Sequence, residues 1–184
     1  MREKAEIFVH NAGHGQRGFA KGTPEIVDAI GYVQSPAQFI IRGQPGESRI
    51  TELFSKHKDN SRIQFEFGDF DLDKLFGVGD VFINAEQYNG MSLMLQEARA
   101  SGMLVCTTDR YPMNTWLPKE PLIPVQRYVR DRIAVEFDRA IVDPRTIAAK
   151  IDEFYGKDIS DYSMSGKYWA EEMSWDALKP RYLN

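Results

Sequence analysis

Asp80-Val81-Phe82-Ile83-Asn84, followed by Asn89-Gly90-Met91-Ser92-Leu93-Met94-Leu95-Gln96-Glu97-Ala98-Arg99-Ala100-Ser101-Gly102 and then Met103-Leu104-Val105-Cys106-Thr107, is the stretch from which the fold can be read. Val81–Ile83 and Met103–Cys106 are continuous apolar runs, the pattern of parallel strands buried on both faces. Between them Gly90 closes a loop and Met91–Ala100 are good helix formers. A strand, a helix and a second strand at this spacing make a βαβ unit.

The same alternation extends to both sides. Ile7–His10, Gln38–Arg42 and Arg62–Phe67 read as further strands, with a short one expected at Leu122–Val125. Ile63, Phe65 and Phe67 alternate, as a more exposed strand would. Ile26, Ile30 and Val33 recur at helical spacing after Thr23-Pro24-Glu25, where Thr23 is expected as N-cap and Pro24 at the first helical position. Ile50, Leu53 and Phe54, then Leu72, Leu75 and Phe76, mark two more helices, and Ile147, Ile151, Phe154 and Tyr155 a fourth after Asp143-Pro144. The expected fold is α/β: a Rossmann-like open parallel sheet with helices on both faces. Ligands of such sheets bind beyond the C-terminal strand ends, which directs attention to loops 11–23, 43–46, 68–71, 85–91 and 108–116.

The chain has 184 residues, with 42% apolar and 27% charged, an ordinary globular mix read as one domain over 1–184. A net charge of −4 argues against a general nucleic-acid binder. No apolar run approaches the roughly 20 residues of a membrane span, and the acids in MREKAEIFVHN read against a signal peptide. The single Cys106 excludes an internal disulfide and fits a reducing compartment, so the expected location is cytoplasmic.

Two constellations carry chemistry. Gly13, Gly15 and Gly18 spell G-x-G-x-x-G after the first strand, but the helix starts only near Thr23 and the second strand ends in Arg42-Gly43 rather than in an acid. That reads against a dinucleotide site. The loop offers bare backbone amides beside Arg17 and Lys21, which suit a diphosphate. His10 and His14 have no Cys or acidic cluster at ligand spacing, so no metal site is expected. The second constellation is the helix start at Gly90–Leu93, which directs free N–H groups into the crevice. Glu97, two turns in, could accept bonds from vicinal hydroxyls such as those of a ribose.

The order of these residues resembles the donor-site signature of retaining GT-B glycosyltransferases of family 4, E-G-F-G-x-x-x-x-E-A-x-A-x-G. Gly90, Glu97, Ala98, Ala100 and Gly102 match at identical spacing, and Met91-Ser92 occupy the F-G positions. Leu104–Asp109 resembles the family's P-V-I-x-T-D strand, Lys21-Gly22 its phosphate-site K-G, Phe67–Phe70 its F-x-G segment, and Ser174-Trp175-Asp176 its F-S-W-E element. The resemblance implies that Glu97 binds ribose hydroxyls. It further implies that Arg17 and Lys21, with the loop glycines Gly13 and Gly15, meet the diphosphate together with the amides of Met91, Ser92 and Leu93. The backbone around Gly68 and Phe70 would hold the base. The chain departs from the pattern at Asn89, where the family has the acid that contacts the donor sugar; Asn89 keeps neutral hydrogen bonding. Glu86 lies three residues before it.

What is implied is a hexosyltransferase-type enzyme using a nucleotide-diphosphate sugar, with retention, no metal and no cofactor. The alternative is a non-catalytic nucleotide or nucleotide-sugar binding module acting with a partner chain. The resemblance covers only the donor-binding half. The acceptor (a glycan, lipid or other hydroxyl compound) and an N-terminal GT-B domain or partner chain are therefore expected as partners, with peripheral membrane attachment through that domain. Residues 165–184 are expected to form a closing C-terminal helical tail.

Overall fold

The computed structural model describes residues 1–13, 20–44, 48–132 and 134–182. Five parallel strands form one sheet: β1 (Ile7–Gly13), β2 (Gln38–Gly43), β3 (Ile63–Phe67), β4 (Val81–Asn84) and β5 (Leu104–Thr107), in the order β3-β2-β1-β4-β5. The connecting helices are α1 (Thr23–Ile30), α2 (Ser48–His57), α3 (Leu72–Phe76) and α4 (Leu93–Ala100). This is the expected fold class. The strand order reverses between β1 and β4, the place at which sheets of this topology open a crevice at their C-terminal edge.

Alternation along the strands sends side chains to two cores. Phe8, Phe39, Ile41, Ile83 and Cys106 join Ile26 and Ile30 of α1 and Ile147 and Ile151 of α5 (Pro144–Phe154) on one face. Val9, Phe82 and Val105 meet Leu95 and Ala98 of α4 on the other. Each large side chain so buried contributes about 2 kcal/mol. The polar residues at the strands' C-terminal ends follow the same alternation: Arg42 pairs in register with Glu66 on one side and Asn11 on the other, and Asn84 with Thr107.

Three expectations change. The strand at Leu122–Val125 reduces to a single parallel bridge between Thr108 and Ile123, because Pro121 and Pro124 remove the ladder donors on either side. An antiparallel hairpin, β6 (Arg127–Arg132) with β7 (Glu136–Ile141), stands apart from the main sheet. Its strands are mostly exposed, so they carry little of the apolar signal that reveals a buried strand. Finally, Thr23 is not the cap of α1; Gly22, in the left-handed region, holds that position. The Thr23 hydroxyl instead donates to His10 Nε2 at 2.8 Å.

The C-terminal helices α6 (Ser160–Glu172) and α7 (Trp175–Leu178) divide their aromatics. Trp169 stacks on Trp116 at 5.5 Å with the Arg99 guanidinium over its ring, while Trp175 and Tyr182 are 81% and 73% exposed. Among the described residues no helix is long and apolar enough to cross a membrane.

His10 is fully buried, and its Nδ1–H donates to the Ile83 carbonyl at 2.9 Å. Burial pushes its pKa down to about 4, against 6.5 for the free side chain. The unfolded chain therefore takes up this proton near pH 6.5, whereas the folded chain resists until about pH 4. This contribution to stability is constant above pH 6.5 and declines as the pH falls through that window, by up to ~3 kcal/mol. Denaturant unfolding of the wild type and of His10→Asn at several pH values should show a difference in slope confined to that interval.

Candidate functional site

Gly22 sets the geometry of the crevice. Its φ of +72° suits glycine, and a Cβ there would stand 2.3 Å from the Ala85 carbonyl oxygen. The loop after β1 can thus lie against the loop after β4, an approach sealed by the Gln87 amide donating to the Ala20 carbonyl at 2.8 Å. Lys21 then reaches back across Gly13: a Cβ on Gly13 would meet Lys21 Nζ at 2.5 Å. Nζ also lies 3.3 Å from Met94 Sδ, at the start of α4.

Lys21, Glu86, Tyr88, Asn89, Gly90 and Arg110 line one open cleft of about 840 Å³ at the C-terminal edge of the sheet. The hairpin supplies the opposite wall with Ala134, Val135 and Phe137. Phe137 packs on Tyr88 at 4.7 Å, and the Ala140 amide donates to the Gln87 carbonyl at 2.8 Å. That same carbonyl accepts from Arg110 Nη1 at 2.5 Å, which fixes the guanidinium beside the cleft.

Glu86 is the unexpected member. It is only 1% exposed, and its Oε1 accepts from Asn84 Nδ2 and Asn89 Nδ2 at 3.0 Å each and from Ser92 Oγ at 2.7 Å. Burial raises its pKa above the usual carboxylate range, against the bonds from Ser92 and Asn89 and the nearby charges of Lys21 and Arg110. The Ser92 bond has a conformational role. Ser92 has φ 41°, the one left-handed residue other than glycine among those described, and sits where the resembled signature carries glycine. Its hydroxyl, tied to Glu86, holds the turn into α4. The first amides of α4 have no partner within the helix and carry the positive end of its dipole.

The other expected residues fall in distinct places. Gly13, Lys21, Asn89 and Gly90 come together at the cleft, whereas the Met91 and Leu93 side chains are exposed, leaving only their backbone to contribute. Glu97 is half-buried on α4, its carboxylate makes no hydrogen bond or ion pair among the described residues, and its pKa is pushed up by burial. Gly68 and Phe70 lie beside β2, where Phe70 packs against the Arg42 guanidinium at 5.1 Å and the Gly68 amide donates to the Gly43 carbonyl. Gly15 and Arg17 lie outside the described residues. Arg110 and the hairpin residues were not singled out from the sequence; Arg110 directly follows the strand-end Thr107-Thr108-Asp109, which is the signal that could have found it. A second cleft, of about 610 Å³, lies at the opposite sheet edge. There Arg2 is occupied by the carbonyls of Gly79, Ser101 and Phe76.

The fold matches the Rossmann-like domains of GT-B glycosyltransferases. An S. aureus TarM mutant, in a complex with fondaparinux, α-GlcNAc-glycerol and UDP, superposes with TM-score 0.75 at 15% identity, covering 100% of this chain and 36% of that one. A glycosyltransferase from Rickettsia africae gives 0.70 at 17%, covering 97% and 46%. The C-terminal domain of LpcC, a group 1 family glycosyltransferase of Francisella tularensis, gives 0.58 at 19%, covering 97% and 87%. This chain thus spans between a third and a half of the first two proteins. No protein-family model and no curated sequence matches it.

Ser92 provides a stability test. Ser92→Ala keeps the left-handed strain and loses the bond to Glu86, so it should cost about 1–3 kcal/mol in chemical denaturation. Ser92→Gly loses the same bond but relieves the strain, and should cost measurably less.

Proposed function

We propose that this chain is the nucleotide-diphosphate-sugar-binding half of a group 1, family 4-like glycosyltransferase of the hexosyltransferase type. The observation that supports this best is the convergence of Lys21, Arg110 and the loop residues Glu86, Asn89 and Gly90 that lead toward α4 on one cleft, at the strand edge where sheets of this topology bind ligands. The diphosphate lies against Lys21 and the amides of Met91, Ser92 and Leu93. The base lies toward Gly68 and Phe70, and Glu97 accepts the ribose hydroxyls. Departure of the nucleoside diphosphate builds charge on its leaving oxygen, and fixed cations with helix-start amides stabilise that charge without a metal. Transfer proceeds with retention to a hydroxyl of a glycan, lipid or similar acceptor. An N-terminal GT-B domain or a partner chain provides the acceptor site and excludes water.

A second reading, a non-catalytic nucleotide-sugar binding module, is favoured by one observation: position 89 carries an amide, already engaged with Glu86 and the Gly90 backbone. Incubation with nucleotide sugars and acceptors, followed by mass spectrometry, separates the two. Multiple-turnover transfer by the chain with its completing domain supports the enzyme, and binding without transfer supports the module.

Calorimetry with UDP, GDP, ADP and NAD tests the nucleotide site. One diphosphate should bind, and binding of NAD alone overturns the proposal. Lys21→Ala should weaken that diphosphate by about tenfold or more while changing affinity for its nucleoside little, because the partner of Lys21 is phosphate. Glu97→Ala should weaken the diphosphate and the nucleoside alike, by about tenfold, because both carry the ribose.

A further inference from the structure

The cleft joins two kinds of chemistry. Lys21 and Arg110 bring positive charge, while Glu86, which also lines the cleft, brings a buried carboxylate. Glu86 Oε2 is shielded from solvent and has no hydrogen-bond partner among the described residues, although Oε1 of the same carboxylate accepts three bonds. Asn84, whose Nδ2 donates to Glu86 Oε1, leaves its own Oδ1 buried and without a partner among the described residues. A buried acceptor left without a donor costs about 1–3 kcal/mol, and more for a charged one. Two of them joined through one hydrogen bond call for a ligand group that brings hydroxyl donors.

The loop is built to hold this carboxylate. Asn89 Nδ2 and Ser92 Oγ both donate to Oε1, which fixes the carboxylate plane and leaves Oε2 as the other end. Gly90 adds bare backbone to the same cleft. A phosphate, an acceptor itself, would be repelled by Glu86 and belongs with Lys21.

We propose that Glu86 is a specificity-determining residue, whose Oε2 accepts a hydrogen bond from a hydroxyl of the glycosyl group, with Asn84 Oδ1 as the neighbouring acceptor. The inference rests on the nucleotide-sugar reading above. Oε1 holds the turn into α4, and Oε2 reads the sugar. One buried carboxylate thereby couples the shape of the loop to the hydroxyl pattern of the ligand.

Glu86→Gln keeps an Oε1 acceptor for the loop and turns the other end into a donor, which a sugar hydroxyl meets less well. Calorimetry would compare UDP with UDP-glucose and UDP-N-acetylglucosamine, and GDP with GDP-mannose, on the wild type and this variant. The expected result is a loss of about tenfold for the nucleotide sugar, with the bare diphosphate bound within about twofold of the wild type. The unchanged diphosphate affinity of Glu86→Gln reports that the variant is folded with its loop intact. Equal losses for diphosphate and nucleotide sugar would make Glu86 a loop support only and overturn the inference. So would no loss for either, since water would then satisfy the acceptors. Wild-type protein that binds none of these nucleotides would overturn the nucleotide reading itself, and the inference with it.

Discussion

The close approach of Gly22 to the Ala85 carbonyl is the constraint from which the rest of the site follows. Any side chain at position 22 would force the loops after β1 and β4 apart, since even a Cβ would overlap that oxygen. With the loops together, the Ala20–Gln87 bond forms and Lys21 is carried into the same cleft as Glu86. The strand-order reversal between β1 and β4 opens the crevice, and the contact at Gly22 decides which side chains face it.

Inside the cleft, the Glu86 carboxylate is held by neutral donors among the described residues. Lys21 and Arg110 favour the ionised form of Glu86 from a distance, while its hydrogen bonds come from neutral amides and a hydroxyl. Neutral donors fix the orientation of the carboxylate without cancelling its charge. The left-handed Ser92 belongs to this arrangement, because the bond that offsets its strain also locks the carboxylate. The hairpin completes the cleft with an apolar wall tied down through Gln87, whose side chain also donates to Glu25 of α1 at 2.8 Å.

Local signals carried a large share of this. Continuous apolar runs of β4 and β5 and the helix-forming segment between them implied a parallel sheet, and of the loops named from that topology 11–23, 85–91 and 108–116 meet at the cleft, while among the described residues 43–46 and 68–71 do not. Lys21, Asn89 and Gly90 were legible as residues of the cleft because they sit beside loop-breaking glycines at strand ends. The hairpin was not legible: its strands face solvent, so apolar and polar residues follow no buried pattern. Thr23 was misplaced as a cap because its hydroxyl is claimed by His10, 13 positions earlier in the chain.

By itself, then, the sequence determined the alternation of strands and helices, the edge at which ligands gather and the cations of one loop, because periodicity and glycine placement are local properties. Only the tertiary structure decided that Glu86, three residues from Asn89, turns inward to accept from it, that Arg110 joins the same cleft, and that a hairpin from residues 127–141 walls it. These outcomes depend on which loops the strand order brings together, and on the drive of a buried carboxylate to find donors wherever the chain supplies them.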